Sequence, residues 1–172
     1  MALNRPPKPD FMDEEEWKQL ADSREPLQMM RQSEDERPDF MNEHARRYIE
    51  TNGGEGTDIT QGGLTCLVWH TGAKSGVERV TPLNYKQEGE LVYVVGSLAG
   101  LDQHPHWVHN LEANPETEVQ IYEKRWRVKA RLLSGDERAA LWPRLTEYFP
   151  LWGHFQKYSD REFKVFELSP ID

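Results

Sequence analysis

Cysteine is almost absent from this chain of 172 residues, and long apolar runs are missing altogether. Cys66 is the only cysteine, which excludes an internal disulfide and fits a reducing compartment. Its apolar neighbours, Leu64, Leu67 and Val68, favour a buried structural thiol over a reactive one. No run of eighteen apolar residues occurs, so no transmembrane helix is predicted, and the first nine residues lack the apolar core of a signal peptide. We therefore expect a cytoplasmic protein.

Positive charge is also scarce, with 21 basic residues against 30 acidic ones and a net charge of −9. A phosphate backbone repels such a protein, so no binding to nucleic acid is expected. Local clusters of basic residues can still hold a small anion. Hydrophobic residues make up 37% of the chain, which is enough for one core.

Residues 1–39 are predicted to form an acidic arm that is partly helical or disordered. Residues 1–9 carry three prolines, residues 10–22 predict a short helix, and residues 22–39 are dense in charge, with Pro26 and Pro38 as helix breakers. The arm is either a solvated tail or a docking helix that covers a partner subunit or a site; its apolar residues are Phe11, Met12, Trp17 and Leu20. Peripheral contact with a membrane stays open, although the acidity disfavours anionic lipid.

Residues 40–172 are predicted to form one domain, mainly β with helices (α+β), built around a small antiparallel barrel. Apolar spacing and short apolar runs give its elements. Strands are predicted at 64–70, 78–86, 91–97, 118–122, 126–133 and 162–168, and helices at 40–51, 105–111 and 136–149. Glu88-Gly89 is a hairpin signal. Pro150 and Gly153 predict an irregular turn rather than a helix over 149–155.

The segment 72–79 gathers cations and glycines in a chain that is otherwise acidic. Lys74 and Ser75 lie in a turn between two glycines, and Arg79 follows on the next strand. The N–H groups of such a turn and its two cations suit an anion, yet an ordinary hairpin has the same pattern. The order of a Walker A loop is absent.

Three further groups of residues admit both a ligand and a structural interpretation. Small residues that follow a strand, as in Ser97-Leu98-Ala99-Gly100, mark close approach of a ligand or only a loop. Trp107 and Asn110 share a helix face that lines a ligand or fills the core. The aromatic residues Phe149, Trp152 and Phe155 form an apolar wall for a flat ligand or pack in the core.

The histidines at 104, 106 and 109 do not predict a metal site. Closely spaced histidines can share a metal, with Cys66 as a fourth ligand, but no acid or cysteine lies at a familiar zinc spacing. No Ser-His-acid triad, glycosidase carboxylate pair or dinucleotide fingerprint is recognisable either.

Taken in order, these motifs resemble the deazaflavin-dependent nitroreductases, also called coenzyme F420-dependent quinone reductases. The resemblance covers about Phe40 to Pro170 and excludes the arm. The matching residues are Thr71 to Gly76, Arg79, Pro82, Leu83, Ser97 to Gly100, His104 to Leu111, Ala113 to Pro115, Ala130, Arg131, Glu137, Arg138, Leu141, Trp142, Phe149, Pro150, Gln156 and Arg161.

The resemblance implies a split β-barrel of the flavin-mononucleotide-binding type and a site for coenzyme F420, whose phosphate and glutamate tail are anionic and whose ring is flat. Lys74, Ser75 and Arg79 are then expected to hold the phosphate and tail. The other implied cofactor residues are Thr81, Pro82, Ser97, Leu98, Ala99, Gly100, Pro105, His106, Trp107 and Asn110.

The resemblance also implies a pocket for a small electron acceptor, which is expected to be lined by Phe149, Trp152 and Phe155. The implied activity is hydride transfer to a quinone, nitroaromatic or activated alkene. Small split barrels often pair, so a homodimer is one expected state.

The chain departs from the family pattern at several of these positions. Ala73 stands where the family has arginine, Ala99 where it has glycine, and Val108 where it has tyrosine. The three wall residues align with tyrosines, so hydroxyls that can donate protons are missing. Two alternatives stay open: a flavin mononucleotide oxidoreductase on the same fold, and a non-enzymatic cofactor-binding or interaction protein.

Overall fold

Six antiparallel strands close into a barrel in the computed structural model, which describes residues 6–29, 39–56 and 64–172. The strands are β1 Leu64–Thr71, β2 Glu78–Glu88, β3 Leu91–Val95, β4 Glu116–Ile121, β5 Lys124–Leu133 and β6 Val165–Pro170. Their order around the barrel is β1-β2-β3-β6-β5-β4, and β4 pairs with β1 to close it. The predicted antiparallel barrel is confirmed, with strand ends shifted by a few residues.

The sequence alternation of β5 shows how the barrel interior is filled. Val128 and Ala130 point into the main apolar cluster, whereas Arg127 and Lys129, which alternate with them, are exposed. Strand β1 differs because it is buried on both faces, with Cys66 towards the barrel interior and Leu67 towards a helix outside. The predicted burial of Cys66 is confirmed, and burial raises the pKa of its thiol.

Helices cover the barrel from outside. They are α1 Glu14–Met29, α2 Asp39–Thr51, α3 His106–Ala113, α4 Gly135–Tyr148 and α5 Pro150–Lys157. Tyr48 joins α2 to the barrel: its hydroxyl donates to the Thr65 carbonyl at 3.0 Å and accepts from the Tyr122 N–H at 2.8 Å. Burial raises the pKa of Tyr48 to about 12, so this hydroxyl keeps its proton at neutral pH.

The predicted irregular turn over 149–155 is wrong, because α5 is a regular helix. Pro150 occupies the start of α5, where its missing N–H leaves no hydrogen bond unmade. Gly153 costs the helix only about 1 kcal/mol relative to alanine. A Cβ at this position would lie 3.2 Å from Thr146 on α4, so the glycine also allows the two helices to approach closely.

Part of the arm, between residues 12 and 20, packs against the domain instead of extending into solvent. A reciprocal capping pair starts α1, since the Glu16 N–H donates to Asp13 and the Asp13 N–H donates to Glu16. Met12, Trp17 and Leu20 pack on the apolar cluster around α4 and α5. The docking interpretation therefore holds for this part of the arm, within one chain, and the solvated-tail interpretation is wrong there.

Pro26 does not end α1, which continues to Met29. A proline removes one helical hydrogen bond, and here the flanking turns continue regardless. Pro38 lies outside the described residues, as do 1–5 within the proline-rich start.

Among the residues that are described, no helix is long and apolar enough to cross a membrane.

Candidate functional site

The turn between β1 and β2 presents the predicted anion-binding side chains at one end of the barrel. The Gly72 N–H donates to the Val77 carbonyl at 2.9 Å, and the Gly76 N–H donates to the Gly72 carbonyl at 2.9 Å. Gly76 has φ +70°, a conformation that favours glycine. Lys74 and Ser75 are exposed on this closed turn. The turn therefore offers a cation and a hydroxyl to solvent on a fixed backbone.

A chain of buried polar groups anchors this turn to α3. The Ala73 N–H donates to Asn110 Oδ1 at 2.9 Å, so the amide nitrogen of Asn110 faces His70 Nδ1, also at 2.9 Å. An amide nitrogen only donates, which makes Nδ1 the acceptor and leaves the ring proton on Nε2. His70 Nε2 then donates to Thr81 Oγ1 at 2.8 Å. The order of donors fixes the tautomer of His70 and the orientation of Asn110.

Three of the predicted cofactor residues lie in the interior, and two of them belong to this row of hydrogen-bonded groups. Asn110 is 2% exposed and Thr81 is 5% exposed, and Pro82 is buried within β2. Thr81 and Asn110 use the polar atoms named above to hold the turn. Arg79 is half-buried and pairs with His70 in the register of β1 and β2. The side chains at 74, 75 and 79 thus lie at the same end of the barrel, in front of this buried support.

The loop after β3 has an unusual backbone. Leu98, Ala99 and Gly100 all have positive φ, at 44°, 51° and 73°. This left-handed conformation costs non-glycine residues roughly 1–2 kcal/mol each, so other contacts must hold Leu98 and Ala99 in it. Ser97 is in the right-handed helical region, and a right-handed residue followed by a left-handed one forms a concave row of N–H groups that suits an anion.

The guanidinium of Arg161 binds the carbonyl side of this loop. It donates to the carbonyls of Gly96 at 2.8 Å, Ser97 at 2.6 Å and Leu101 at 2.8 Å. Burial lowers the pKa of Arg161 to about 10, which leaves it charged at neutral pH. A half-buried cation therefore holds the three carbonyls in place.

Close packing at Gly96 joins the loop to α3. A Cβ on Gly96 would lie 2.8 Å from the side chain of Val108 and 3.5 Å from Pro105. Because α3 also carries Asn110, one helix contacts both the 96–101 loop and the 72–76 turn. The two predicted anion-binding segments are thus brought into one assembly.

Two other residues on α3 have different surroundings. Trp107 is 4% exposed and packs in the barrel interior, with its ring centroid 5.8 Å from that of Phe166. Its position matches the core interpretation of the sequence. His106 is half-buried at the first position of α3.

The predicted wall lies beside the 97–100 loop and beneath the arm. Phe149, Trp152 and Phe155 are each at most 4% exposed. Phe155 touches the loop, since a Cβ at Gly100 would lie 3.2 Å from its ring. Its other side stacks on Trp17 of α1, with ring centroids 6.2 Å apart. The structure brings the wall next to the loop but covers it with the arm.

His104 adds a titratable group to the same loop. Arg161 lies 3.4 Å from its Nδ1, and the ring of His109 lies 6.1 Å away. Burial lowers the pKa of His104 from 6.5, with smaller contributions from Arg161, Lys164 and His109, while Glu112 acts in the opposite direction.

Acid should therefore destabilise the protein through His104. The unfolded chain takes up a proton near pH 6.5 and the folded chain only at lower pH, so this contribution to the free energy of unfolding is lost as pH falls through the folded pKa. Urea unfolding at a series of pH values should show a shallower acid loss for His104→Gln than for the wild type. The same slope in both proteins would contradict this assignment.

The described residues contain no group of three or more histidine, cysteine, aspartate or glutamate side chains placed to hold a metal ion. They do fit an anionic ligand that also has a flat part. The exposed Lys74 and Ser75 supply charge and a hydroxyl. The concave row supplies the N–H groups of Leu98 and Ala99, because the Ser97 N–H already donates to the Val95 carbonyl. Phe155 supplies an apolar surface next to that row.

Sequence reasoning missed two residues that organise this site. His70 gave no local signal, because its partners are 11 and 40 positions away in the chain. Arg161 was noticed only as a position that matches the family, with no role given to it. Its contacts with the loop span 60 to 65 positions, a distance at which periodicity carries no information.

Comparison with known proteins supplies the family. The F420H(2)-dependent quinone reductase family matches residues 40–170. The F420H(2)-dependent quinone reductase Rv1261c of Mycobacterium tuberculosis is 35% identical over 106 residues, which cover 60% of this chain and 71% of that protein. A second protein of that organism, Rv3178, is 39% identical over 106 residues, with coverage of 62% and 89%.

A solved structure described as an F420-H2 dependent reductase, FDR-A, has 36% sequence identity and a TM-score of 0.57, and the match covers 61% of this chain and 93% of that one. The barrel is of the flavin-mononucleotide-binding split-barrel type, as the sequence predicted. The match of the family over residues 40–170 shows that this chain belongs to the F420H(2)-dependent quinone reductases.

Proposed function

We propose that this protein is a reductase that uses reduced coenzyme F420 to transfer a hydride to a small acceptor, with quinones as the leading class and nitroaromatics or activated alkenes as further ones. The observation that carries the proposal is the joining of two anion-binding segments by one helix. Asn110 on α3 holds the 72–76 turn, and Val108 on the same helix packs against Gly96 at the start of the loop. Family membership favours coenzyme F420 over flavin mononucleotide and a reductase over a non-enzymatic binding protein.

Each part of the site has a role in this proposal. Lys74, Ser75 and Arg79 bind the phosphate and the anionic tail, because they lie at the same end of the barrel. The 97–100 loop contacts the ring or the phosphate through the N–H groups of Leu98 and Ala99, because those of Ser97 and Gly100 donate within the protein. Bound in its reduced form, the cofactor supplies a hydride, and the protein orients the reactants and excludes water.

The acceptor is placed against the apolar wall of Phe149, Trp152 and Phe155. These rings follow one another along the end of α4 and the length of α5, and Phe155 adjoins the loop through Gly100. None of the three carries an ionisable proton, so they bind the acceptor by apolar contact and leave proton transfer to another donor. This favours flat apolar acceptors over those that require a protein hydroxyl.

Turnover of reduced coenzyme F420 tests the proposal. We expect addition of a simple benzoquinone or naphthoquinone to restore the absorbance of the oxidised deazaflavin at a rate that depends on the protein. Reduced flavin mononucleotide in place of the deazaflavin is the control for the alternative cofactor. Absence of turnover with quinones, nitroaromatics and activated alkenes alike would overturn the proposed function.

Trp17→Ala should make the acceptor bind more readily. Because the wall is covered by the arm, only a fraction of molecules is competent to bind, and the apparent dissociation constant is the intrinsic one divided by that fraction. Loss of the stack on Phe155 should lower KM for the quinone by roughly twofold to tenfold at similar kcat. Lys18→Ala, an exposed change on the same helix, serves as the control. A raised KM would instead make Trp17 part of the acceptor site.

We also propose that the chain has two functionally different parts and that it forms a homodimer. Residues 40–172 carry the cofactor site, and residues 1–39 form an added arm, since the family match begins at residue 40. A structure described as a domain-swapped dimer has 33% identity and a TM-score of 0.59, and the match covers 74% of this chain and 96% of that one. It supports a homodimer, which light scattering at several protein concentrations would test.

A further inference from the structure

The contacts of Arg161 suit a residue that holds the backbone of the 96–101 loop in one orientation. Its hydrogen bonds within the described residues go to three backbone carbonyls and to His104 Nδ1, rather than to a carboxylate. Its guanidinium also lies over the ring of Phe163, 4.7 Å from the centroid. A planar guanidinium with five donors can fix several carbonyls at once, which a lysine cannot do.

The direction of these bonds determines where the loop presents its donors. The described peptide bonds are all trans, and in a trans peptide the C=O and N–H point in opposite directions. Because the Ser97 carbonyl points at Arg161, the N–H of Leu98 in the same peptide points away from it. No acceptor for the Leu98 N–H occurs among the residues that the structure describes.

Arg161 also explains how the left-handed backbone persists. Leu98 and Ala99 would relax to ordinary conformations if nothing held the loop, and that change would turn the N–H groups elsewhere. The carbonyls of Gly96 and Leu101, at the two ends of the loop, both bind this one guanidinium. A single side chain therefore holds the loop at both ends and at Ser97 between them.

We propose that Arg161 is a positioning residue of the cofactor site, which acts by holding the 96–101 loop so that the Leu98 N–H is aimed at an oxygen of the bound cofactor. The proposal rests on the proposed function, in which this loop contacts coenzyme F420. Arg161 itself need not touch the cofactor, because three of its donors bind the loop and a fourth faces His104. Its positive charge additionally polarises the peptides that it binds, and so strengthens their N–H groups as donors.

Arg161→Ala and a matched control separate this role from general stability. Arg138 is a buried arginine that likewise binds a backbone carbonyl, with two hydrogen bonds to Phe163 at 3.1 Å and 2.7 Å. It makes no contact with the 96–101 loop among the bonds described here. Coenzyme F420 affinity, measured by quenching of tryptophan fluorescence, should fall about tenfold or more in Arg161→Ala and stay within about twofold in Arg138→Ala.

Chemical rescue of cofactor affinity distinguishes the positioning role from a purely structural one. Millimolar methylguanidinium should restore much of the cofactor affinity of Arg161→Ala and leave the wild type and Arg138→Ala unchanged. Arg161→Lys keeps the charge without the planar donors, so it should bind the cofactor several-fold more weakly than the wild type, and it decides the case if Arg161→Ala does not fold.

The outcomes distinguish failure of the positioning role of Arg161 from failure of the proposed function. Wild-type affinity in a folded Arg161→Ala or in Arg161→Lys would overturn the positioning role alone. Equal losses in Arg161→Ala and Arg138→Ala, with no effect of methylguanidinium, would overturn it as well. A wild-type protein that fails to bind coenzyme F420 would overturn the proposed function, and this inference with it.

Discussion

Replacing Lys74 and Arg79 together by alanine should weaken the binding of coenzyme F420 at least a hundredfold. Lys74 is exposed on the turn and Arg79 begins the next strand at the same end of the barrel. Charge-assisted hydrogen bonds to a phosphate or carboxylate contribute roughly 1.5–3 kcal/mol each. Since about 1.4 kcal/mol corresponds to a factor of ten, the loss of two such contacts exceeds two decades.

A variant with the same change in net charge provides the control for this prediction. Arg127→Ala with Lys129→Ala removes two exposed cations from β5, and its affinity for the cofactor should change by less than about threefold. Both variants should unfold close to the wild type, because the four side chains contribute little to the core. Unchanged affinity in the Lys74 and Arg79 variant would show that the anion binds elsewhere.

Phe166→Ala should lower the free energy of unfolding by about 3–5 kcal/mol, the usual cost of removing a fully buried phenylalanine. Phe166 is 1% exposed and fills the barrel interior, where its ring packs on Trp107 of α3. The melting temperature should fall by roughly 6–20 °C for a chain of this size. Since α3 carries Asn110, the 72–76 turn should also become less well fixed.

Leu132→Ala is the matched change, because Leu132 pairs directly with Phe166 across β5 and β6 yet is 39% exposed. It should cost about 1 kcal/mol or less, since a large part of its surface already meets water. Urea unfolding of the three proteins measures both effects. A loss below about 1 kcal/mol for Phe166→Ala would contradict the placement of this ring in the barrel core.

The barrel could be predicted from the sequence because its signals are local. Alternation at Val128 and Ala130 between charged neighbours gives a strand with one buried face, and Glu88-Gly89 gives the hairpin. The prolines do not follow the rule that proline breaks helices. Pro150 starts α5, where its missing N–H leaves no hydrogen bond unmade, and Pro26 lies within α1.

The site was only partly predictable for the opposite reason. Lys74 in the turn and Arg79 on β2 are close in sequence, and their residue type indicates an anion. The residues that fix the turn and the 96–101 loop are remote: Asn110 lies 37 positions from Ala73, and Arg161 lies 64 positions from Ser97. The cover of Trp17 over Phe155 is equally non-local. Side-chain type indicates a ligand. The hydrogen bonds that hold the turn and the loop form only when the barrel has closed.

The most direct test of the account is a titration of the full-length protein with oxidised coenzyme F420 and, separately, with flavin mononucleotide, followed by tryptophan fluorescence. Trp107 and Trp152 lie on the two helices that border the site, so a bound deazaflavin should quench the emission. We predict saturable binding of coenzyme F420 with a dissociation constant well below about 1 mM, which corresponds to about −4 kcal/mol, and much weaker binding of flavin mononucleotide. Binding of neither ligand in that range, or tighter binding of flavin mononucleotide, would contradict the account.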